Sequence, residues 1–256
     1  MNSPPYFYLF GTSISRSPSP LLHGAAFRHL ALPYRYELFE TDSADSILAA
    51  LREPSTLGAS RDRPLQASRR PAGDLEPIER LEDGSRVALI LGAGGMARAA
   101  AYALESMNVL FVVHNRTFAR AKDLADQFGG VAVKKIDFST KLDIVINTVP
   151  GSPASIPAEL LHDQSILLET VYSPRETNLT KSAKAANCQR VVEGIEVLVE
   201  QAIFQSERFL SHLSRPGVAA PPVPIRAMIS ALAESSDDLA NDLPWSLQSR
   251  LAPSLC

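Results

Sequence analysis

The residues best suited to chemistry fall in three short runs. Leu89-Ile-Leu-Gly-Ala-Gly-Gly-Met-Ala-Arg98 places Gly92, Gly94 and Gly95 directly after an apolar run and before a helix-forming stretch. Glycines there permit a tight turn and let backbone amides approach a pyrophosphate, whose charge the helix N-terminus stabilises. Ala93 and Met96 complete the turn, and Ala97 fits the third small position of a dinucleotide fingerprint. About 20 residues on, where an NAD site carries a carboxylate for the ribose 2′-hydroxyl, the chain reads His114-Asn115-Arg116-Thr117, followed by Arg120 and Lys122. A guanidinium at Arg116 can stack on adenine and pair with a 2′-phosphate. The expected cofactor is therefore NADP rather than NAD. The third run, Gly11-Thr-Ser-Ile-Ser-Arg-Ser17-Pro-Ser19-Pro20-Leu-Leu-His23, is rich in hydroxyls and prolines. Taken alone it reads as a capped helix start, with Ser19 as N-cap and Pro20 at the first helical position.

These runs need elements to hold them. Tyr6–Phe10 and Tyr34–Glu40 are strand-like, with helix-like stretches at 20–31 and 44–51. Residues 52–84 carry Pro54, Pro64, Pro71 and Pro77 beside crowded arginines, a composition that predicts a loop or disordered segment. From Arg86 apolar runs alternate with helical stretches. Val87–Leu91, Val109–Val113, Leu142–Asn147 and Ser165–Glu169 are the strands; 97–107, 117–128 and 176–187 are the helices. This alternation predicts βαβ units and a parallel sheet. A long helix over 194–213 follows, then a Pro-rich stretch with a short helix at 224–234.

Composition bounds the rest. The 256 residues carry 25 Lys+Arg against 28 Asp+Glu, which excludes a strongly basic nucleic-acid binder. Two cysteines, Cys188 and Cys256, exclude a disulfide framework and suit a reducing compartment. No apolar run approaches the roughly 20 residues of a membrane span, and the N-terminus lacks a signal-peptide pattern. A cytoplasmic protein with no metal, membrane or nucleic-acid partner is expected.

Together the runs resemble the shikimate/quinate dehydrogenase family. Gly11, Ile14, Ser17, Ser19, Pro20 and His23 match its N-terminal signature, with Gly24 in place of Asn. Glu169-Thr-Val-Tyr172-Ser-Pro174-Arg-Glu-Thr177 resembles its Asp-x-x-Tyr-x-Pro-x-x-Thr run, with Glu for Asp, and Gly194-Ile-Glu-Val-Leu198-Val-Glu-Gln201-Ala202 its closing helix. The resemblance, over roughly residues 5–212, implies an α/β chain: a truncated substrate-binding domain followed by a Rossmann-type doubly wound parallel sheet. Its implied divisions are 1–60 for substrate, 61–84 as irregular linker, 85–193 for NADP, 194–213 as closing helix and 214–256 as tail. It implies that Ser17 and Ser19 bind a substrate carboxylate, with Tyr172 and Gln201 as further substrate contacts. Gly92 to Met96, Asn115, Arg116, Thr117, Arg120, Asn147 and Thr148 would hold the cofactor. The partner is a small cyclic carboxylate of the shikimate or quinate class, and a homodimer is left open.

The family's chemistry rests on a Lys in a Val-Thr-x-Pro-x-Lys strand end, with an Asn and an Asp. Here 74 residues separate Ser17 from Gly92, too few for the full substrate domain, and no Lys precedes Lys122. After Gly58-Ala59-Ser60 stands Arg61-Asp-Arg-Pro-Leu-Gln66. Codons for that run can be chosen so that a one-base offset reads Val-Thr-Val-Pro-Ser-Lys. Residues 61 to about 75 are then an out-of-frame stretch, which an uninterrupted transcript with no offset Lys codon would disprove. The catalytic residues stay unassigned, with His23 and His29 read as structural. An impaired NADP-dependent dehydrogenase, a catalytically inactive metabolite- or dinucleotide-binding regulator, and a broken gene product are the readings left open.

Overall fold

The computed structural model describes residues 5–61, 86–136, 140–151, 155–214, 218–235 and 243–251. The expected linker and out-of-frame stretch lie, beyond Arg61, outside the described residues. The chain divides into two units, a first, discontinuous one made of Met1–Asp62 with Glu196–Cys256, and a second, Arg63–Ile195.

The first unit carries a three-stranded parallel sheet. Its strands are β1 (Tyr6–Gly11), β2 (Arg35–Glu40) and β3 (Thr56–Arg61), in the order β2-β1-β3. Helices α1 (Ser19–His29) and α2 (Ala44–Arg52) make the connections. β3 falls inside the stretch expected to be a loop, and corrects that expectation. Thr-Leu-Gly-Ala-Ser-Arg has one large apolar residue, too weak a pattern to read as a strand, yet it pairs along β1 from Tyr6↔Thr56 to Phe10↔Arg61. A Cβ at Gly58 would sit 3.2 Å from the Phe7 ring, so the small residue lets the core ring lie against the strand. The expected Ser19 N-cap is also corrected. Pro18 occupies the cap position and Ser19 opens the helix. Its amide turns back to the Ser17 hydroxyl at 3.3 Å instead.

Aromatic side chains build this unit's core. Phe7, Leu9, Ile14, Phe27 and Tyr36 are buried together, with Phe209 and Leu213 packed on them. Phe209 belongs to α6 (Gly194–Leu213), and its ring centroid lies 4.4 Å from that of Phe7. Beyond α6, α7 (Ile225–Glu234) packs on α1 and buries Met228, Ile229 and Leu232. α8 (Trp245–Leu251) is tied to α6 by a Ser246–Glu196 hydrogen bond and an Arg250–Glu200 ion pair. Glu196 and Glu200 stand one turn apart, so one face of α6 receives both.

The second unit is a six-stranded, all-parallel sheet, β6-β5-β4-β7-β8-β9. Its strands are β4 (Val87–Leu91), β5 (Leu110–His114), β6 (Val131–Val133), β7 (Ile144–Asn147), β8 (Ile166–Glu169) and β9 (Arg190–Val192). β4 is buried along its whole length, as a central strand covered on both faces must be. Its side chains alternate: Val87, Leu89 and Leu91 join Val145, Leu167 and Leu179 in one core, while Ala88 and Ile90 join the other. The second core takes Ala97, Ala101 and Leu104 from α3 (Gly95–Ser106) and Leu124 from α4 (Phe118–Phe128). α5 (Asn178–Ala185) gives Leu179 and Ala183 to the first. Three-residue β6 and β9 escaped the sequence reading because no alternation can show in so short a run.

Candidate functional site

The carboxyl ends of the parallel strands lie in step. Leu91 pairs with His114 on one side and Asn147 on the other, and Asn147 pairs with Glu169. Strand order reverses between β4 and β7, the switch point at which an open α/β sheet leaves a crevice for ligand. Gly92 turns the chain there at φ +106°, and its amide donates to the His114 carbonyl at 2.8 Å. A Cβ on Gly92 would meet the Thr148 hydroxyl at 2.4 Å. That hydroxyl donates to the Leu91 carbonyl at 2.8 Å and closes the turn from behind.

Gly94 then caps α3 in extended conformation, exposed and with no atom of the described residues within 4 Å of where a Cβ would stand. Ala93, Gly95 and Met96 are half-buried beside it, and α3 has no acidic residue in its first turn. Unpaired amides at a helix start can receive a pyrophosphate. After β5, Asn115 Nδ2 donates to the Thr117 carbonyl at 2.9 Å and shapes the turn into α4. Arg116, Thr117 and Arg120 are exposed around that helix start.

Glu169 was named in the sequence only as part of a motif, and the structure shows it to be the anchor of the neighbouring loops. Its carboxylate is fully buried. It accepts from Asn147 Nδ2 at 2.8 and 2.9 Å, from the Val171 amide at 2.9 Å and from the Thr177 hydroxyl at 2.8 Å. Asn147, expected at the cofactor, is itself fully buried, and its Oδ1 receives the Val149 amide at 3.2 Å. Its side chain therefore shapes the 148–151 loop from inside the sheet. Thr177 caps α5 in a reciprocal capping box with Thr180. Between these fixed ends Tyr172 is exposed.

In the first unit, Ser17 donates to the Ser19 hydroxyl at 3.0 Å, and the Ser17 amide donates to the Ile14 carbonyl at 2.8 Å. Both serines are half-buried at the start of α1. Glu40, which the sequence did not flag, accepts the Ile14 and Ser15 amides at 2.9 and 3.0 Å and so pins the serine loop to the end of β2. His23, one turn after Ser19, is fully buried and stacks on Tyr36 at 4.2 Å between centroids. Its Nδ1 lies 2.9 Å from the Ser206 hydroxyl and its Nε2 3.2 Å from Gln205 Oε1. Exposed Gln201 stands one turn before Gln205 on α6. Thus the serines and Gln201 belong to one unit, and Tyr172 with the glycine turn to the other.

Burial lowers the His23 pKa to about 4, against a hydrogen bond to Gln205 Oε1 that raises it. The unfolded chain, near the ordinary value of about 6.5, binds the proton more readily. Stability from this residue is therefore full above about pH 6.5 and is lost as the pH falls toward 4. Between pH 7 and 4.5 the loss is about 2–3 kcal/mol. Urea unfolding of the native chain beside His23→Gln should show that much less pH dependence in the variant; equal slopes would refute the assignment.

The shikimate/quinate 5-dehydrogenase family model matches residues 79–161. Over 87% of its length the chain is 30% identical to the NADP-dependent shikimate dehydrogenase of Halobacterium salinarum, 97% of which is covered. It is 29% identical over 78% of its length to the pentafunctional AROM polypeptide of Malassezia globosa, but spans only 16% of that protein. The fold superposes on shikimate 5-dehydrogenase from Thermus thermophilus, solved with NADP(H) and shikimate. The TM-score is 0.66 at 26% identity, covering 89% of this chain and 99% of that one.

Proposed function

The chain belongs to the shikimate/quinate dehydrogenase family, and on that premise we propose that it binds NADP and acts on a ring hydroxyl of shikimate or quinate. The observation that carries this reading is the turn at the switch point, where Gly92 closes against Thr148 and Gly94 leaves the start of α3 open. The Gly92–Met96 turn would receive the pyrophosphate, and Asn115, Arg116, Thr117 and Arg120 the 2′-phosphate. Thr148, on the loop that Asn147 and Glu169 hold, would border the nicotinamide. Ser17 and Ser19 would bind the substrate carboxylate, with Tyr172 and Gln201 as further contacts. When bound, NADP supplies the hydride acceptor; the protein's part is to orient the ring carbon toward it and to take the hydroxyl proton.

That last role has no candidate among the lysines, since none precedes Lys122 and Arg61-Asp-Arg-Pro-Leu-Gln66 stands where the family has its Lys. A missing general acid–base group costs about 10²–10⁴-fold in rate. The expected enzyme is therefore slow, and the same observation favours a second reading, a metabolite-binding regulator without turnover. NADPH absorbance with shikimate or quinate, beside calorimetry of NADP⁺ binding, separates them. Turnover supports the dehydrogenase, binding alone the regulator, and absence of both refutes the family of readings. Arg116→Ala should weaken NADP⁺ binding by about 10–100-fold, the loss of one or two charge-assisted hydrogen bonds, and weaken NAD⁺, which loses only the adenine stacking, far less. Equal losses for both would show that Arg116 does not read the 2′-phosphate.

A further inference from the structure

The geometry points to Lys134 as a further residue that selects NADP over NAD, an inference that rests on the cofactor reading above. Lys134 follows β6, whose last residue Val133 pairs with His114 at the end of β5. The His114 ring nitrogen lies 3.3 Å from the Val133 carbonyl and holds the two strand ends together. The residue after Val133 therefore emerges beside the turn that carries Asn115, Arg116 and Thr117. Its Nζ sits 5.2 Å from the ring centroid of Phe118, within cation–π range. Phe118 is the first residue of α4 and directly follows the Thr117 cap. The ring thus seats an ammonium at the same helix start that Arg116 and Arg120 surround.

This gathering of charge is unfavourable without a ligand. Cations near a helix N-terminus oppose its partial positive charge, and three of them repel one another. The first turn of α4 has no acidic residue. Of the two acidic residues further along α4, Asp126 is already paired with Lys122 at 2.8 Å. A phosphomonoester carries about −1.5 to −2 charge at pH 7, more than one guanidinium neutralises. Arg116 and Arg120 already balance that charge; a third cation, delivered by the neighbouring strand, strengthens the attraction for a dianion, and the 2′-hydroxyl of NAD offers it nothing.

The test is calorimetry of NADP⁺ and NAD⁺ with the full chain, its Lys134→Met and Phe118→Leu variants, and Arg116→Ala as reference. Lys134 is exposed, so the Met variant keeps the fold. It should bind NADP⁺ about 5–20-fold more weakly than the native chain, bind NAD⁺ equally, and show a shallower salt dependence, because one fewer cation meets the phosphate. Phe118→Leu, which removes the aromatic seat and keeps the apolar packing, should fall between. If Lys134→Met binds NADP⁺ like the native chain while Arg116→Ala does not, the Lys134 assignment is overturned and the cofactor reading stands. If the native chain prefers NADP⁺ to NAD⁺ by no margin, the cofactor reading itself falls.

Discussion

Glu169→Ala should lower the unfolding free energy by about 4 kcal/mol and carry the second unit below its working stability. Four hydrogen bonds end on this buried carboxylate, from Asn147 twice, the Val171 amide and the Thr177 hydroxyl. Truncation leaves those donors facing a cavity, and a buried donor without a partner costs about 1–3 kcal/mol. The contributions do not add, because the donors can relax toward each other's carbonyls. Glu169→Gln separates charge from volume. Each carboxylate oxygen receives two donors, so an amide nitrogen at either place meets a donor head-on, and about half the loss is expected. Glu169→Asp keeps the acceptors and shortens the reach by one methylene, and should be the mildest of the three. Urea unfolding of the three variants is the measurement; a loss below about 1 kcal/mol for the alanine would show that the network is incidental.

The second large effect is expected from Met228→Asp on α7. Met228 has no exposed surface, and its helix packs on α1, the helix that begins at Ser19. A carboxylate placed there either stays charged without a partner or takes up a proton, and both cost several kcal/mol. The first unit should lose its cooperative unfolding while the second keeps its own. Met228→Leu, close in volume, should cost less than about 1.5 kcal/mol. Two unfolding transitions followed by circular dichroism would separate the units. A single unchanged transition in the Asp variant would mean that α7 adds little to the first unit.

The α/β class and the parallel second sheet were legible because β4 and its neighbours are continuous apolar runs separated by helical periods. The Gly92–Gly95 turn was legible for a related reason: its glycines serve the backbone, at Gly92 by a positive φ and at Gly94 by open space. What escaped the reading depends on partners distant in sequence. β3 is a strand because β1 offers it an edge, not because Thr56–Arg61 reads as one. Glu40 matters through the amides of Ile14 and Ser15, a contact across 25 or more residues that no local pattern announces. Glu169 looked like one letter of a motif, and only its burial beside Asn147 and Thr177 shows why that position needs a carboxylate.

The division of the chain into a continuous and a discontinuous unit also bears on the order in which it is made. A ribosome releases residues from the N-terminus, and domains fold as they emerge. The inserted Rossmann sheet has all its strands once residue 195 has been synthesised. The sheet that precedes it in sequence has to wait: Phe7 lacks the ring of Phe209, His23 lacks Gln205 and Ser206, and α1 lacks the cover of α7. The strands translated before the inserted sheet thus mature after it, and their apolar surface is the one a nascent-chain chaperone has to shield longer.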